Sequence, residues 1–261
     1  MDGLRATGRE RNLALMLRLM RADWLKTRRT PLRFAVLTAP AAYALLMLFY
    51  FANRRITPEL PREMASVFFE GWTVMLPLAV GVLAGLLALQ EEHAGNFAAW
   101  LGAAPRSAVY ASRLLFLVLL HAGSVLCAAA WFLAGMLVRP GMPAPDAGAL
   151  FAGALLAAAG SLPLIALHHW LALAAGWGAS AGVGGAGLLA AAIIGATVVG
   201  DRIWLYVPWA WPVRLSQVPL APDRMPAAPE KGLLLSLMLF ALTAAGGSVW
   251  FRRWEGRRGE D

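Results

Sequence analysis

The side chains best equipped for acid–base or metal chemistry are two adjacent carboxylates, Glu91 and Glu92, and three histidines, His121, His168 and His169. A pair of acids can share a proton or activate water, and imidazole titrates close to neutral pH. Their spacing does not favour a metal centre. His168 and His169 project about 100° apart on a helix, whereas ligands four residues apart share a face. His121 falls near the middle of an apolar run, where a neutral, hydrogen-bonded imidazole is expected. The single cysteine, Cys127, also lies in an apolar run, so there is no disulfide framework and no thiolate cluster. Nucleotide chemistry has its own signature, a Gly-Lys-Ser/Thr loop around the phosphates. Lys26 follows Leu25 and Lys231 follows Glu230, so that loop is missing. Ion-coupled transport needs a carboxylate at membrane depth, and the cores of the apolar runs contain none. Glu70 stands at the mouth of one such run, where a cationic substrate could meet it; a solvated helix end is the plainer reading.

Whatever these groups do, they must be carried by elements built for lipid. Of the 261 residues, 59% are hydrophobic and 15% charged, against about a quarter charged in a soluble domain. Mean hydropathy is +0.61. This is the composition of a single-domain membrane chain. The formal charge is +8, but the arginines collect at the two ends, as cytoplasmic anchors do, so nucleic acid is not an expected partner.

A crossing helix needs about 20 mostly apolar residues. The pattern predicts six, at about 34–52, 68–90, 109–138, 148–175, 182–200 and 232–252. The fourth and fifth come from 54 consecutive residues without a formal charge, between Asp146 and Asp201. One helix of that length would reach roughly 80 Å, far beyond a hydrocarbon core of about 30 Å. The run must reverse, and GWGASAGVGG, Gly176–Gly185, is the expected turn. With both termini inside, 15 Lys and Arg face the cytoplasm and 8 lie in the outer loops, so the chain is expected to be N-in and C-in.

The expected architecture is therefore an all-α polytopic membrane protein. Residues 1–30 form a cytoplasmic interfacial helix, 31–254 a six-helix transmembrane domain and 255–261 a cytoplasmic tail. In RNLALMLRLMRADWLK, Leu13, Met16, Leu17, Met20 and Trp24 recur at helical spacing, which suits a helix lying in the headgroup layer. In QEEHAGNFAAWLGAAPRS, Gly95 can end a span, Asn96 can cap a new helix and Pro105 cannot continue it. That predicts a cytoplasmic helix of about two turns, with Phe97, Trp100, Leu101 and Ala104 on one stripe. Such a stripe either plugs a groove on a soluble partner or rests its aromatics on the membrane surface.

Four segments carry a resemblance to ABC-2 type transporter permeases, near the lantibiotic-immunity and bacteriocin-export branch. QEEHAGNFAAWLGAAP resembles the loop after the second span, and RADWLKTRRT the opening before the first, with Asp23 where Glu is usual. WLALAAGWGASAGVGGAG resembles the turn between the fourth and fifth spans, without its usual basic residue, and LYVPWAWPVRL the Pro-Trp segment before the last. The resemblance implies an exporter subunit of the bacterial plasma (inner) membrane, not an enzyme, with no cofactor of its own. ATP and its magnesium would be held by a separate ABC ATPase dimer, and a second permease subunit, identical or sister, would complete the channel among membrane lipids. It further implies that Glu91, Glu92, Asn96, Phe97, Trp100, Leu101, Ala104 and Pro105 form the coupling element that docks on that ATPase. The implied cargo is an amphipathic peptide of antimicrobial type or a lipid-like molecule; a drug, a lipid or a glycan is the alternative. Glu91-Glu92 also resembles the paired glutamates of membrane-embedded CAAX-type proteases, but Asn96 stands where that pattern has Arg.

Two further features bear on packing and cargo. Gly178 and Gly182, with Gly184, Gly185 and Gly187 beyond them, permit close helix approach, either within this bundle or to another subunit; the former is expected. Trp204, Trp209 and Trp211, in the loop from Asp201 to Lys231, together with Glu70 form a possible substrate side. An interfacial aromatic belt is the alternative.

Overall fold

The computed structural model describes residues 2–28, 31–102 and 104–257. Met1, Arg29, Thr30, Ala103 and the tail from Arg258 onward, which includes most of the expected cytoplasmic tail, lie outside the described residues. Among the described residues the fold is all-helical, without strands. Its helices are α1 (Asp2–Thr27), α2 (Pro31–Tyr50), α3 (Leu60–His93), α4 (Ala98–Leu101), α5 (Arg106–Leu137), α6 (Ala147–Ala190), α7 (Trp211–Gln217) and α8 (Pro229–Arg253).

Local chemistry sets several boundaries. Pro61 occupies the first turn of α3, where a missing N–H is no loss. Asp146 caps α6, its Oδ1 accepting from the Ala149 N–H at 2.9 Å. Four described stretches are long and apolar enough to cross a membrane: α3, α5, α8, and α6 with a π-helical continuation that runs to Gly195. The apolar part of α2, Val36–Tyr50, is shorter.

α6 is not straight. Residues twelve apart on one helix lie about 18 Å apart, yet His168 Nδ1 is 3.1 Å from Ser180 Oγ. The chain reverses at Gly176, with φ 90° and ψ 175°, a region essentially closed to any residue with a Cβ. The reversal therefore takes one residue, not the ten of Gly176–Gly185. The second limb is helical from 177 and ends at Gly195 in the π turn, earlier at both ends than the expected 182–200.

That second limb lies antiparallel against α3. Ser180 Oγ donates to the Gly81 carbonyl at 2.8 Å, and a Cβ on Gly184 would stand 2.8 Å from the Pro77 carbonyl oxygen. The expected glycine contacts divide between two faces. Gly184 and Gly187 pack within the bundle, whereas Cβ atoms on Gly178, Gly182 or Gly185 would meet nothing within 4 Å. Helical rotation separates the two sets, and Gly178 and Gly182 face away from this bundle.

The core has two main parts and a cap. Phe68 stacks on Phe132 with centroids 4.1 Å apart in the first, which includes Met64, Met136 and Leu150. The second gathers Val80, Ala84, Tyr110, Leu114 and Phe251 with Phe97 and Trp100. Trp204, Trp211 and Leu215 centre the cap. At one end of the bundle meet the C-terminal parts of α1 and α3, the start of α5, the Gly176 turn and residues 254–257. At the opposite end are the α2–α3 and α5–α6 connections, joined where Arg139 donates to the carbonyls of Phe51, Ala52 and Arg54.

Replacing Gly176 by alanine should lower the thermal unfolding midpoint in detergent by the equivalent of about 1–3 kcal/mol. Gly178→Ala, on the open face, should leave it unchanged. Equal midpoints for the two variants would refute a reversal at Gly176.

Candidate functional site

Glu91 and Glu92 end α3, and the backbone beyond them turns back sharply. Gly95, Asn96 and Phe97 have φ of 145°, 47° and 63°, and the Asn96 N–H donates to the Glu92 carbonyl at 2.7 Å. Three successive positive φ values swing the Phe97 ring into the bundle. α4 then makes a single turn, Ala98–Leu101, shorter than the predicted two turns. Asn96 does not cap it: Phe97 holds that position in a left-handed conformation, with no side-chain cap. The Asn96 amide instead donates to the Arg257 carbonyl at 3.4 Å.

Phe97 and Trp100 are both buried, with Leu101 and Ala104 packed partly buried beside them. The predicted stripe thus exists but faces its own bundle. Phe97 packs edge-on to Trp254 at 4.9 Å and tilts against Trp100 at 5.6 Å. Two guanidiniums lie over these rings, Arg113 4.5 Å from the Trp100 centroid and Arg257 5.5 Å from that of Phe97. The exposed surface of the loop is made by His93, Ala94, Gly95, Asn96, Ala98 and Ala99, with Gly102 and Pro105 beyond them.

Beneath the loop lies an ionic network. Arg113 of α5 pairs with Asp23 of α1 and stands 3.5 Å from the Glu91 carboxylate. Glu91 also accepts from Lys26 at 2.5 Å. Only 11% of the Arg113 side chain is exposed, 5% of Glu91 and 1% of Asp23, while Lys26 reaches the surface. The four charges sum to zero, which a buried cluster needs because desolvating an uncompensated ion costs several kcal/mol (roughly). RADWLK and QEEHAGNF, distant in sequence, are joined through these side chains.

A second set of contacts straps the C-terminus onto the same loop. Arg257 pairs with Glu92, and Arg106 donates to the carbonyls of Trp254 at 2.7 Å and Arg252 at 3.1 Å. The Arg257 guanidinium fills the space beside Gly176 where a Cβ would otherwise stand. Sequence reasoning missed Arg106, Arg113 and Arg257. The available signal was the rarity of charge: in so apolar a chain, a partly buried arginine needs acceptors, which are carboxylates for Arg113 and Arg257 and backbone carbonyls for Arg106.

The remaining candidates are elsewhere. Trp204 and Trp211 are buried in the cap, where Trp211 Nε1 donates to the Leu205 carbonyl at 3.2 Å. The Trp209 ring lies against Gly187. Trp204 and Trp211 therefore fill the molecule's own interior. Glu70 alone among the substrate-side candidates lines an open cavity. His168 is held by Ser180 and His169 packs on Tyr110, rings 4.6 Å apart, without approaching the glutamate pair as partners. Among the described residues, no three His, Cys, Asp or Glu come together in a metal-binding group.

Comparisons with protein-family models, with curated proteins and with solved structures return no match.

Burial pushes the Asp23 carboxyl up to about 6, with the opposing charge of Arg113 limiting the rise. Because this value lies above the unfolded one, the folded state retains a proton that the unfolded chain has lost. The group's stabilising contribution is full below about pH 4 and is lost as pH rises through about 6. The thermal midpoint should therefore rise between pH 7.5 and 5 in the wild type relative to Asp23→Asn. A constant difference across that window would contradict it. Arg113→Gln should cost about 3–5 kcal/mol by leaving the buried Asp23 carboxylate without its cation while Glu91 keeps Lys26, read from denaturation in detergent.

Proposed function

We propose that this chain is the membrane-spanning permease subunit of an ATP-driven ABC exporter of ABC-2 type, in the plasma (inner) membrane of a bacterium. α2, α3, α5, the two limbs of α6, and α8 make six crossings, N-in and C-in. The orientation rests on the arginine bias, and the α6 reversal supplies the fourth and fifth crossings. The observation that carries the reading is the buried network. The two segments most like such permeases, Arg21–Thr30 and Gln90–Pro105, are fastened to each other by Asp23, Arg113, Glu91 and Lys26. A segment that transmits force from another polypeptide has to be rigidly attached to the helices it moves, and this attachment supports that role.

In this reading the ATPase dimer holds ATP and magnesium and meets the exposed residues of the loop. Phe97 and Trp100 transmit its movement from the inside, as the inner half of the joint. Glu92 and Arg257 add the C-terminal strap, and closure of the ATPase tilts α3 and α5 together through Arg113. A second permease subunit completes the path; the open Gly178–Gly182 face favours a neighbouring helix there. The cargo is an amphipathic peptide or lipid-like molecule, and this part follows from the family resemblance alone.

Co-purification with a soluble ATPase is the direct test. Ala99→Arg changes an exposed position beside the buried Trp100, so folding stability should stay within about 0.5 kcal/mol of wild type. Bound ATPase should nevertheless fall at least about tenfold, the effect of burying an unpaired charge at an interface. Absence of any nucleotide-hydrolysing partner, or unchanged capture by Ala99→Arg, would contradict the reading.

A further inference from the structure

The cavity at the end of the bundle opposite the ionic network has a volume of about 540 Å³. It lies between α3, α7 and the loop that follows α6, with Ser66, Glu70, Arg214, Gln217 and Arg224 on its polar walls. Two of these groups are already committed. Gln217 and Ser66 satisfy each other, the Ser66 hydroxyl donating to the Gln217 amide oxygen at 2.7 Å. Arg214 is fully engaged: it pairs with Asp201 at 2.7 Å and donates to the Ile194 carbonyl at 3.1 Å and to that of Thr197.

Glu70 and Arg224 differ. Both line the cavity, and neither side chain makes a hydrogen bond or a close ion pair among the described residues, although Arg224 and Arg214 lie near enough to act on the Glu70 carboxyl electrostatically. Glu70 is half-buried, and its carboxylate can only accept. Arg224 stands exposed at the rim with a donor fork suited to phosphate. The four charged side chains of the cavity, Glu70, Asp201, Arg214 and Arg224, sum to zero. With Arg214 and Asp201 paired to each other, a ligand that carries both an ammonium and a phosphate can engage Glu70 and Arg224 together.

The rim supplies the third constraint. Val198, 82% exposed, and Met225, 55% exposed, line the opening, and Ile193 and Leu189, both exposed and four residues apart, share a face of the helical limb that leads to it. In a chain whose α6 is long and apolar enough to cross a membrane, this is a surface for hydrocarbon, continuous with a polar hollow.

We propose that this cavity binds a zwitterionic headgroup in which a primary ammonium is joined to a phosphate. The ammonium donates to Glu70, the phosphate accepts from Arg224, and an acyl tail follows the Val198–Ile193–Leu189 face. A primary ammonium fits better than a quaternary one, because Glu70 offers acceptor oxygens and no aromatic cage lines the cavity. The assignment depends neither on an ATPase nor on which leaflet this end faces.

The test is native mass spectrometry of the full purified chain. It is titrated with phosphatidylethanolamine, phosphatidylcholine and phosphatidylglycerol of matched short acyl chains, and with free glycerophosphoethanolamine. Wild type should hold the ethanolamine lipid about tenfold more tightly than the glycerol lipid, which lacks the ammonium, and more tightly than the choline lipid. Glu70→Gln, nearly isosteric, should abolish that preference, and Arg224→Gln should weaken all three phospholipids alike. Displacement of the lipid by glycerophosphoethanolamine at equal concentration would make a soluble phosphoamine the source of the headgroup; failure to displace it would make it a lipid. Either result supports the recognised chemistry. Equal affinity for the ethanolamine and glycerol lipids, or full preference retained by Glu70→Gln with an unchanged unfolding midpoint, overturns it.

Discussion

A guanidinium keeps its proton at any pH a membrane experiences, so Arg113, with only 11% of its side chain exposed, has to be neutralised where it lies. It is answered by two carboxylates from two different helices, and one of those carboxylates is answered in turn by Lys26. That requirement fixes α1 against α5 and the end of α3 against both. It also puts a cation under the Trp100 ring, which holds the loop after α3 closed over the network. Removing Arg113 leaves Asp23 without its cation, and removing Asp23 leaves Arg113 with Glu91 alone, so these members are coupled rather than separate contacts.

The two ends of the bundle are built differently. At the network end, side chains from α1, α3, α5 and the C-terminal residues reach across to one another, and the Gly176 turn is plugged by Arg257. At the opposite end Arg214 and Arg139 spend their donors on backbone carbonyls, shaping loops around a hollow that Glu70 and Arg224 leave unfilled. A tightly joined end and an open cavity at the far end agree with the transport reading proposed for this chain.

Much of the helical framework was legible in the sequence because it depends on local composition. The apolar runs located α3, α5, α6 and α8, and the length of the uncharged run required a reversal within Gly176–Gly185. The turn's extent was not legible, since five glycines within ten residues look alike until φ and ψ show that only Gly176 is non-helical. The stripe Phe97–Trp100–Leu101–Ala104 was visible by spacing, yet its direction depended on three positive φ values before α4. Spacing carries no information about that. The pairing of Asp23 with Arg113 is a contact between helices far apart in the chain, which no local pattern encodes. Trp204 and Trp211 looked like surface aromatics beside prolines; their burial follows from how the cap folds onto α6 at Gly160.

The joint can be tested most directly by a double-mutant cycle of Asp23→Asn and Arg113→Gln, measured by unfolding of the purified chain in detergent at neutral pH. If Arg113 is the cation on which this end of the molecule depends, the two losses should be strongly non-additive, with a coupling of about 1–3 kcal/mol. Losses that add to within about 0.5 kcal/mol would mean that the two residues act independently, and the account of a shared joint would be wrong.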